Sequence, residues 1–427
     1  MACFTWLPNE ILEHIFQYLD FKNRRNLSLV CNRWNEVLLS ERYLRKHVIL
    51  HIEGCRLLDG KTYFRRNYEA LSIKLENQYS SEMTKNLRLV NSVCPNPAHL
   101  RIDNLSSDQR FALIFSNTFF SFENVEQLHL IGTCKTEKGY LCTSFDNLKV
   151  LKIETSYVEY FRLIAPQLTE LYLYVCSEDH MDLLPQFADQ LLKLTLVFDN
   201  KDIYYFFNLN FPQIRELSID RRLKGMTKSE QDISIMFFRR LKQLRKLHLT
   251  VKFIDSYVMQ MISTSLSNLT ELTLLVSEGT IELSNISKLI KLEKLKIEAE
   301  KFNLLNAKFP HLRQLSLGSP DLRSGAYVYA FESLMIFNSL RMLALHNVKF
   351  YPEVLKLTPS YNVEYMYVTN YKRLEETHLQ MLVRRFPAVK WLRIAHCPGF
   401  TMREVEKLKR MNPKLCVAFT EVTKGRL

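Results

Sequence analysis

One apolar phrase recurs along most of the chain. It consists of an apolar residue, two variable residues, a second apolar residue, one variable residue and a third apolar residue. Its copies begin at residues 125, 148, 168, 191, 214, 244, 269, 292, 312, 340, 363 and 389, with weaker versions at 68 and 97. The alternation that ends the phrase predicts a short strand with one buried face. Amphipathic stretches between copies, such as residues 254–266, predict helices.

This spacing predicts the architecture of residues 68–427. A strand and a helix in about 20 to 30 residues cannot bury their apolar sides alone, whereas stacked units can. We therefore expect an α/β fold, a curved solenoid with a parallel concave sheet, uneven convex helices and a C-terminal capping strand near 415–419. The phrase resembles that of the leucine-rich-repeat family over about 360 residues. The asparagine common in that family three residues after the last leucine is mostly replaced, as at Thr133, Ser156, Cys176 and Ser277.

A different pattern occupies the first 45 residues. In LPNEILEHIFQYL, residues 7–19, apolar residues recur at steps of three and four, which predicts an amphipathic helix. After a polar break at 20–23, two more short helices are predicted at 26–31 and 32–39. The segment carries more large apolar residues than so small a core can cover. Part of this apolar surface must therefore face the repeat array or another protein.

The first segment resembles the F-box in the order and spacing of Leu-Pro at 7–8, Glu-Ile-Leu at 10–12, Ile-Phe at 15–16, Leu19, Leu27, Val30-Cys31 and Arg33-Trp34. The resemblance implies docking on a Skp adaptor, which connects to a cullin and a RING subunit. It implies a substrate-recognition subunit of a Skp–cullin–F-box type E3 ubiquitin ligase, which captures a protein for ubiquitylation and degradation. The expected adaptor contacts are Leu7, Pro8, Ile11, Leu12, Ile15, Val30, Cys31 and Trp34. The alternative is that Ile15, Phe16, Leu19 and Leu27 only hold the three helices together, a role that we favour for Phe16 and Leu19.

These patterns divide the chain into an F-box at 1–45, a connecting segment and array cap at 46–67, and the repeat array at 68–427. Alternating Val48, Leu50 and Ile52 predict a strand in the connecting segment.

The variable residues beside the leucines become aromatic toward the C-terminus, which predicts a substrate-binding surface. Its candidate residues are Met342, His346, Tyr365, Tyr367, Trp391 and Arg393. The alternative is that these rings pack on a C-terminal loop of the same chain. Two further surfaces compete with ordinary solvated faces. The first carries mixed charge and tyrosines, and its residues are Glu170, Tyr172, Tyr174, Lys294, Lys296 and Glu298. The second is a basic stretch from Arg221 that would hold a phosphate or a small anionic cofactor.

The net charge of the chain bears on the class of partner that it binds. A formal net charge of +13 favours an acidic or phosphorylated protein substrate. The competing functions are a non-degradative interaction scaffold and a nucleic-acid binder, but the basic residues form no regular stripe with interleaved aromatic residues.

Motifs of catalysis and of metal binding are missing from the sequence. It has nine cysteines without a CxxC pair, and no hydrolase, metalloprotease or P-loop motif. We expect no catalytic residue, no cofactor and no metal. With neither a signal peptide nor an apolar run of about 20 residues, we expect no membrane association and a location in the cytoplasm or nucleus.

Overall fold

The computed structural model describes residues 7–40, 42–43, 49–53, 68–74, 94, 96–105, 124–132, 141–155, 161–175, 178–198, 204–221, 228–321, 325–349, 359–371, 376–398 and 400–420. The chain divides into two compact units, Met1–Phe187 and Ala188–Leu427. Several sequence predictions lie outside the described residues. They concern Val48, most of the connecting segment 46–67, Thr133, Ser156 and Cys176.

The first unit begins with three helices, α1 (Asn9–Phe16), α2 (Phe21–Ser28) and α3 (Asn32–Leu38). The Pro8 carbonyl accepts the N–H groups of Ile11 and Leu12 over 3.1 Å, so the chain turns into α1 directly after the proline. Helix α2 corrects the prediction of a polar break at 20–23 and a helix at 26–31. Asp20 accepts the N–H of Asn23 over 2.8 Å and caps a helix that starts at Phe21. The polar sequence KNRRN gave no apolar period from which this helix could be predicted.

A small apolar core holds the three helices together. It contains Leu12, Phe16, Val37, Leu38 and Tyr43, with Leu7, Leu19, Leu27 and Trp34 packed partly buried against it. The rings of Phe16 and Trp34 meet edge to face with centroids 5.4 Å apart. Such a pair stabilises by about 1 kcal/mol beyond its buried area.

The rest of the first unit is built from parallel strands. They are β1 (Ile49–Glu53), β2 (Ala70–Lys74), β3 (His99–Leu105), β4 (Gln127–Gly132), β5 (Leu141–Ser144), β6 (Val150–Thr155), β7 (Phe161–Ile164) and β8 (Glu170–Val175). Strands β1, β2, β3, β4, β6 and β8 follow one another in a parallel sheet, and β5 pairs with β7 separately. A 3₁₀ helix (Glu178–Leu183) and helix α4 (Leu184–Phe187) end the unit.

The second unit repeats this arrangement over a longer stretch. Its parallel sheet contains β9 (Lys193–Phe198), β10 (Glu216–Arg221), β11 (Lys246–Val251), β12 (Glu271–Val276), β14 (Lys294–Glu298), β16 (Gln314–Gly318), β18 (Met342–His346), β20 (Tyr365–Thr369), β21 (Trp391–Ala395) and β22 (Cys416–Thr420). A second, small sheet contains β13 (Thr280–Glu282), β15 (Lys301–Asn303), β17 (Ala326–Tyr329) and β19 (Val348–Lys349). The helices are α5 (Tyr204–Asn208), α6 (Lys228–Arg240), α7 (Ser256–Ser265), α8 (Glu376–Arg385) and α9 (Met402–Met411), with 3₁₀ helices at Leu283–Ile286 and Phe331–Ile336.

The repeated leucines explain why the strands stack in register. Each copy of the phrase becomes a strand that begins two residues after the first apolar residue. Leu247, Leu272 and Leu295 are aligned on consecutive strands, and all three are buried. Burying one leucine contributes about 2 kcal/mol relative to leaving it exposed. The predicted parallel sheet and the helix in 254–266 are confirmed.

The turns after three strands of the second unit use a left-handed residue. Asn347, Asn370 and His396 follow β18, β20 and β21 with φ of 53°, 65° and 55°. The Asn347 N–H donates to Thr369 O over 2.9 Å, and the Asn370 N–H donates to Ala395 O over 3.1 Å. Asparagine adopts this conformation more readily than most residues, so Asn347 and Asn370 suit these turns, although each lies one position before the site expected for asparagine in the repeat.

Candidate functional site

The three N-terminal helices expose an unusual amount of apolar side chain. Ile11, Ile15 and Tyr18 are spaced by four and three residues, so they follow one side of α1 and the turn after it. Leu29 and Val30, in the turn before α3, are 81% and 60% exposed. These five residues, together with the exposed Pro8 and Cys31, form what we call the F-box face.

Arg33 joins the two parts of the F-box face. Its guanidinium donates to the carbonyl of Leu7 and to the side-chain oxygen of Asn9, the latter over 3.0 and 3.2 Å. These bonds hold the start of α3 against the start of α1. Val30 and Cys31 immediately precede α3, the helix from which Arg33 makes these bonds.

The predicted adaptor contacts fall into three groups in this structure. Pro8, Ile11, Ile15, Val30 and Cys31 are exposed. Leu7 and Trp34 are half-buried against the helical core. Leu12 is 1% exposed and is a member of that core, so we leave it out of the proposed contact surface. Sequence periodicity did not separate Ile11 from Leu12, because adjacent residues of a helix lie only about 100° apart. Tyr18 and Leu29 are exposed apolar residues that the sequence analysis did not single out.

Charged residues are located beside the helical core. Arg42 approaches the carboxylate of Glu13 at 3.3 Å and that of Glu10 at 3.9 Å. Arg24 donates to Leu19 O over 2.7 Å and lies 5.9 Å from the ring of Tyr43. Burial raises the pKa of Tyr43, and the charge of Arg24 partly opposes this rise. Arg42 is thus paired with two carboxylates, and the guanidinium of Arg24 is held at the carbonyl of Leu19.

The second candidate surface lies on the open face of the sheet in the second unit, where side chains alternate with the buried leucines. Met342, Tyr365 and Trp391 are in register on β18, β20 and β21, as are Tyr367 and Arg393 on β20 and β21. The rings of Tyr367 and Trp391 meet edge to face with centroids 5.2 Å apart. We call these five residues the aromatic patch. Tyr365 is 46% exposed, so the patch offers apolar surface to a partner.

His346 was predicted for the same surface but makes its bonds within the sheet. Its Nδ1 lies 2.5 Å from the Thr369 hydroxyl, and its Nε2 lies 3.1 Å from the Ser316 hydroxyl. Burial lowers the pKa of His346. The charge of Lys296 lowers it further, and Glu298 opposes that effect. The imidazole is therefore neutral at physiological pH, and its contacts with Ser316 and Thr369 connect β18 to both neighbouring strands.

The mixed-charge residues form ion pairs on the open face, one between neighbouring strands and one within a strand. Lys294 approaches Glu271 at 3.0 Å, and Lys296 approaches Glu298 at 2.9 Å. In the first unit, the Lys152 ammonium lies 4.7 Å from the centre of the Tyr172 ring. Exposed pairs of this kind are typical of a solvated face.

The basic stretch from Arg221 offers less free charge than its sequence indicates. Arg221 itself is 2% exposed, among the apolar side chains of Phe207, Phe238 and Leu249. Arg240 donates to the backbone carbonyls of Phe207 and Asn208. Residues 222–227, which carry further basic residues, lie outside the described part of the chain.

The described residues contain neither a metal site nor a membrane-spanning helix. Among them, no group of three or more His, Cys, Asp or Glu side chains is arranged to hold a metal ion. No helix in the same part of the chain is long and apolar enough to cross a bilayer.

Comparison with known proteins identifies the first segment. A family model described as F-box-like matches residues 4–51. No curated protein matches the chain.

Solved structures with a similar course of the chain include the Rad7 and Elc1 complex of yeast, at 14% identity and a TM-score of 0.38, covering 96% of this chain and 92% of that chain. A leucine-rich-repeat protein of Leptospira interrogans aligns at 13% identity and a TM-score of 0.35, covering 82% and 95%. The TLR13–ssRNA13 complex aligns at 12% identity and a TM-score of 0.33, covering 80% and 58%.

The chain thus combines an F-box-like domain with a leucine-rich-repeat array. The first part is defined by the family match at residues 4–51. The second is defined by the stacked parallel strands, which carry the repeated leucines in register.

Proposed function

We propose that this chain is the substrate-recognition subunit of a Skp–cullin–F-box type ubiquitin ligase. In this proposal the F-box face docks on a Skp adaptor, which connects the chain to a cullin and its RING subunit. The repeat array captures the protein to be ubiquitylated. The chain itself does no chemistry; it brings a substrate to enzymes that do.

The single observation that carries this proposal is the apolar F-box face on a segment that matches the F-box-like family. Scattered single apolar residues are normal on a protein surface, but a continuous group marks a binding site. Here Ile11, Ile15 and Tyr18 follow one side of a helix, and Leu29 and Val30 lie in the turn before α3. If central in an interface, side chains of this size contribute about 2 kcal/mol each.

The helical core supports the same conclusion from the opposite side. Leu12, Phe16, Val37 and Leu38 fill the space between the helices and are nearly inaccessible. The residues of the F-box face are therefore not needed to close this core. A partner that covered them would remove apolar area from water, which favours association by about 25 cal/mol per Å² before the entropic cost of binding.

The aromatic patch is our candidate for substrate capture. Its rings are held by contacts within the sheet, so little conformational entropy is lost when a partner binds. Aromatic residues and arginine are enriched at the centres of interfaces. We expect Tyr367→Ala combined with Trp391→Ala to abolish substrate capture while adaptor binding persists.

The described cysteines support a reducing location. Cys31, Cys94, Cys397 and Cys416 are all free. Free thiols are usual in the cytoplasm and nucleus, where we propose that the protein acts. Imaging of a fluorescent fusion in living cells tests this location.

Affinity purification from cells with the proteasome blocked tests the proposed function. Three forms are compared: the intact chain, the double variant Ile11→Glu with Val30→Glu, and the control Ile290→Glu, which changes an exposed isoleucine of the second unit. We expect the adaptor, the cullin and the RING subunit with the intact chain and the control, and their loss from the double variant. Ubiquitylated substrates should accumulate only where the adaptor is retained.

Two results would contradict the proposal. If the double variant retains the adaptor, the F-box face is not its docking surface. If the adaptor is captured without cullin, and no bound protein is turned over more slowly when the F-box is disrupted, the chain acts as a non-degradative scaffold.

A further inference from the structure

The open face of the sheet in the second unit has two halves with different electrostatics. On β9–β14 the open positions carry four lysines and four carboxylates, namely Lys193, Lys246, Lys294, Lys296, Glu216, Asp220, Glu271 and Glu298. Several are directly paired, as at Lys246 and Glu216, which approach to 2.8 Å. This half therefore neutralises its own charge.

The half on β16–β22 carries no carboxylate at the described open positions. These positions are Gln314, Ser316, Gly318, Met342, Ala344, His346, Tyr365, Tyr367, Thr369, Trp391, Arg393, Ala395, Cys416, Ala418 and Thr420. Arg393 is the formal charge among them, since the pKa of His346 is lowered by burial. Arg393 is exposed, and no described carboxylate lies within ion-pair distance of it.

A row of charged residues borders the same half. Arg313, Arg341, Glu364 and Lys390 each immediately precede a strand, and their backbones form a ladder. The N–H groups of Arg341, Glu364 and Lys390 each donate to the carbonyl of the preceding member over 2.9 Å. Glu364 neutralises one cation of this row, approaching Lys390 at 2.8 Å and Arg341 at 3.9 Å. Tyr365 and Trp391, at the first open positions of their strands, thus lie between Arg393 and a border with an excess of positive charge.

We infer that this half of the open face binds an extended acidic segment of the substrate, with one apolar side chain of that segment placed on Tyr367 and Trp391. The inference rests on the proposed function, because it takes the repeat array as the substrate-binding part. Adjacent strands are about 4.8 Å apart, so a partner lying across β16–β22 meets Arg313 and the aromatic patch, including Arg393, within a few strands. Carboxylates of the partner pair with these arginines, which provides charge complementarity and orientation.

Charge also argues against a second copy of this chain as the occupant. The chain has a formal net charge of +13, so a second copy would approach a positive surface with a positive charge of its own. Single-stranded nucleic acid is the other anionic partner with flat apolar groups. Nucleic-acid grooves place several cations along the path of the phosphate backbone. The described open positions of this half carry one formal cation, Arg393, so this partner is disfavoured.

The test uses the full chain and three dye-labelled synthetic peptides of equal length. The first has glutamates around one phenylalanine, the second has glutamates around one alanine, and the third has lysines around one phenylalanine. Binding is followed by fluorescence anisotropy at low and high salt, with an oligothymidylate as a further probe. We expect the first peptide to bind at least about tenfold more tightly than each of the other probes, and to weaken as salt is added.

Matched variants locate the binding. Arg393→Glu, on the exposed surface, should lower the affinity for the first peptide about tenfold or more. Lys246→Glu makes the same change in net charge on the self-neutralised half and should weaken it less than about twofold. Tyr365→Ser removes exposed aromatic surface in register with Trp391. It should weaken binding of the first peptide and leave the already weak binding of the alanine peptide unchanged. Thermal unfolding of each variant shows whether the fold is retained.

Some outcomes overturn the inference. They are equal binding of all three peptides, tighter binding of the oligothymidylate, or equal losses for Arg393→Glu and Lys246→Glu. Adaptor binding of the same protein samples is measured separately. Peptide selectivity without adaptor binding refutes the proposed function and leaves the acidic-segment site standing; adaptor binding without peptide selectivity does the reverse.

Discussion

The guanidinium of Arg33 donates two hydrogen bonds to the side-chain oxygen of Asn9, over 3.0 and 3.2 Å. It also donates to the backbone carbonyl of Leu7. The three bonds connect residues that are more than 20 positions apart in the sequence. They therefore fix α3 against α1 and, with it, the two halves of the F-box face.

Replacing Arg33 by Ala should loosen this connection. Losing hydrogen bonds of this partly exposed kind costs about 1 kcal/mol, so amide hydrogen exchange in α1 and α3 should accelerate roughly fivefold. Adaptor affinity should fall as well, because Val30 and Cys31, directly before α3, are no longer fixed relative to α1. Arg25→Ala, which removes an exposed arginine of α2, is the control and should leave both quantities unchanged. Equal effects of the two variants would argue that net charge, and not the connection, matters.

Neighbouring residues of α1 should behave in opposite ways. Leu12 is buried in the helical core, so Leu12→Ala should destabilise the three helices by about 2–5 kcal/mol. Ile15 is 40% exposed, so Ile15→Ala should change stability by less than about 0.5 kcal/mol and weaken adaptor binding instead. Hydrogen exchange of α1–α3 reports the stability, and titration with purified adaptor reports the binding. If Leu12→Ala keeps its stability but binds the adaptor more weakly, Leu12 is a contact residue after all.

The second unit should lose stability in acid partly through His346. Its pKa is lowered mainly by burial and by the charge of Lys296, against the opposing charge of Glu298. The unfolded chain then binds a proton on this histidine at a higher pH, near its usual pKa of about 6.5, than the folded chain does. The contribution of His346 is therefore fully present above about pH 6.5 and is lost as pH falls toward the lower folded pKa.

His346→Asn removes this titration while keeping a polar side chain in the sheet. The difference in thermal midpoint between the intact chain and the variant should shrink or reverse as pH falls from about 7 to about 5. Other carboxylates and histidines titrate in both proteins, so they cancel in the difference. A difference in thermal midpoint that is independent of pH would show that folding does not lower the pKa of His346.

The strands were predictable because their cause is local and repeated. The last two apolar positions of each phrase are two residues apart, which places them on one side of a strand, and the first is buried just before the strand begins. Leu249 and Leu274 illustrate this, since they are buried at equivalent positions of neighbouring strands. The sequence also contains the residues that make the two halves of the open face differ in charge. The strand register was needed to show which of these charges are neighbours.

Other features depend on contacts that no local pattern reveals. The small sheet β13–β15–β17–β19 contains strands of only two to four residues, too short for a recognisable period. Helix α2 is polar and begins at the cap provided by Asp20. The exposure of Leu29 follows from the turn between α2 and α3, because nothing in its side chain distinguishes it from the buried leucines. The predicted contact and substrate residues of both surfaces stay predictions until binding is measured.

Calorimetric titration of purified Skp adaptor into the full chain tests the central claim most directly. We expect one-to-one binding with a dissociation constant of about 1 μM or tighter. Leu29→Glu combined with Val30→Glu should weaken it at least about a hundredfold, whereas Leu305→Glu, at an exposed leucine of the second unit, should not change it. Absence of binding to the intact chain, or equal affinity for the double variant, would contradict the assignment of the F-box face as the adaptor-docking surface.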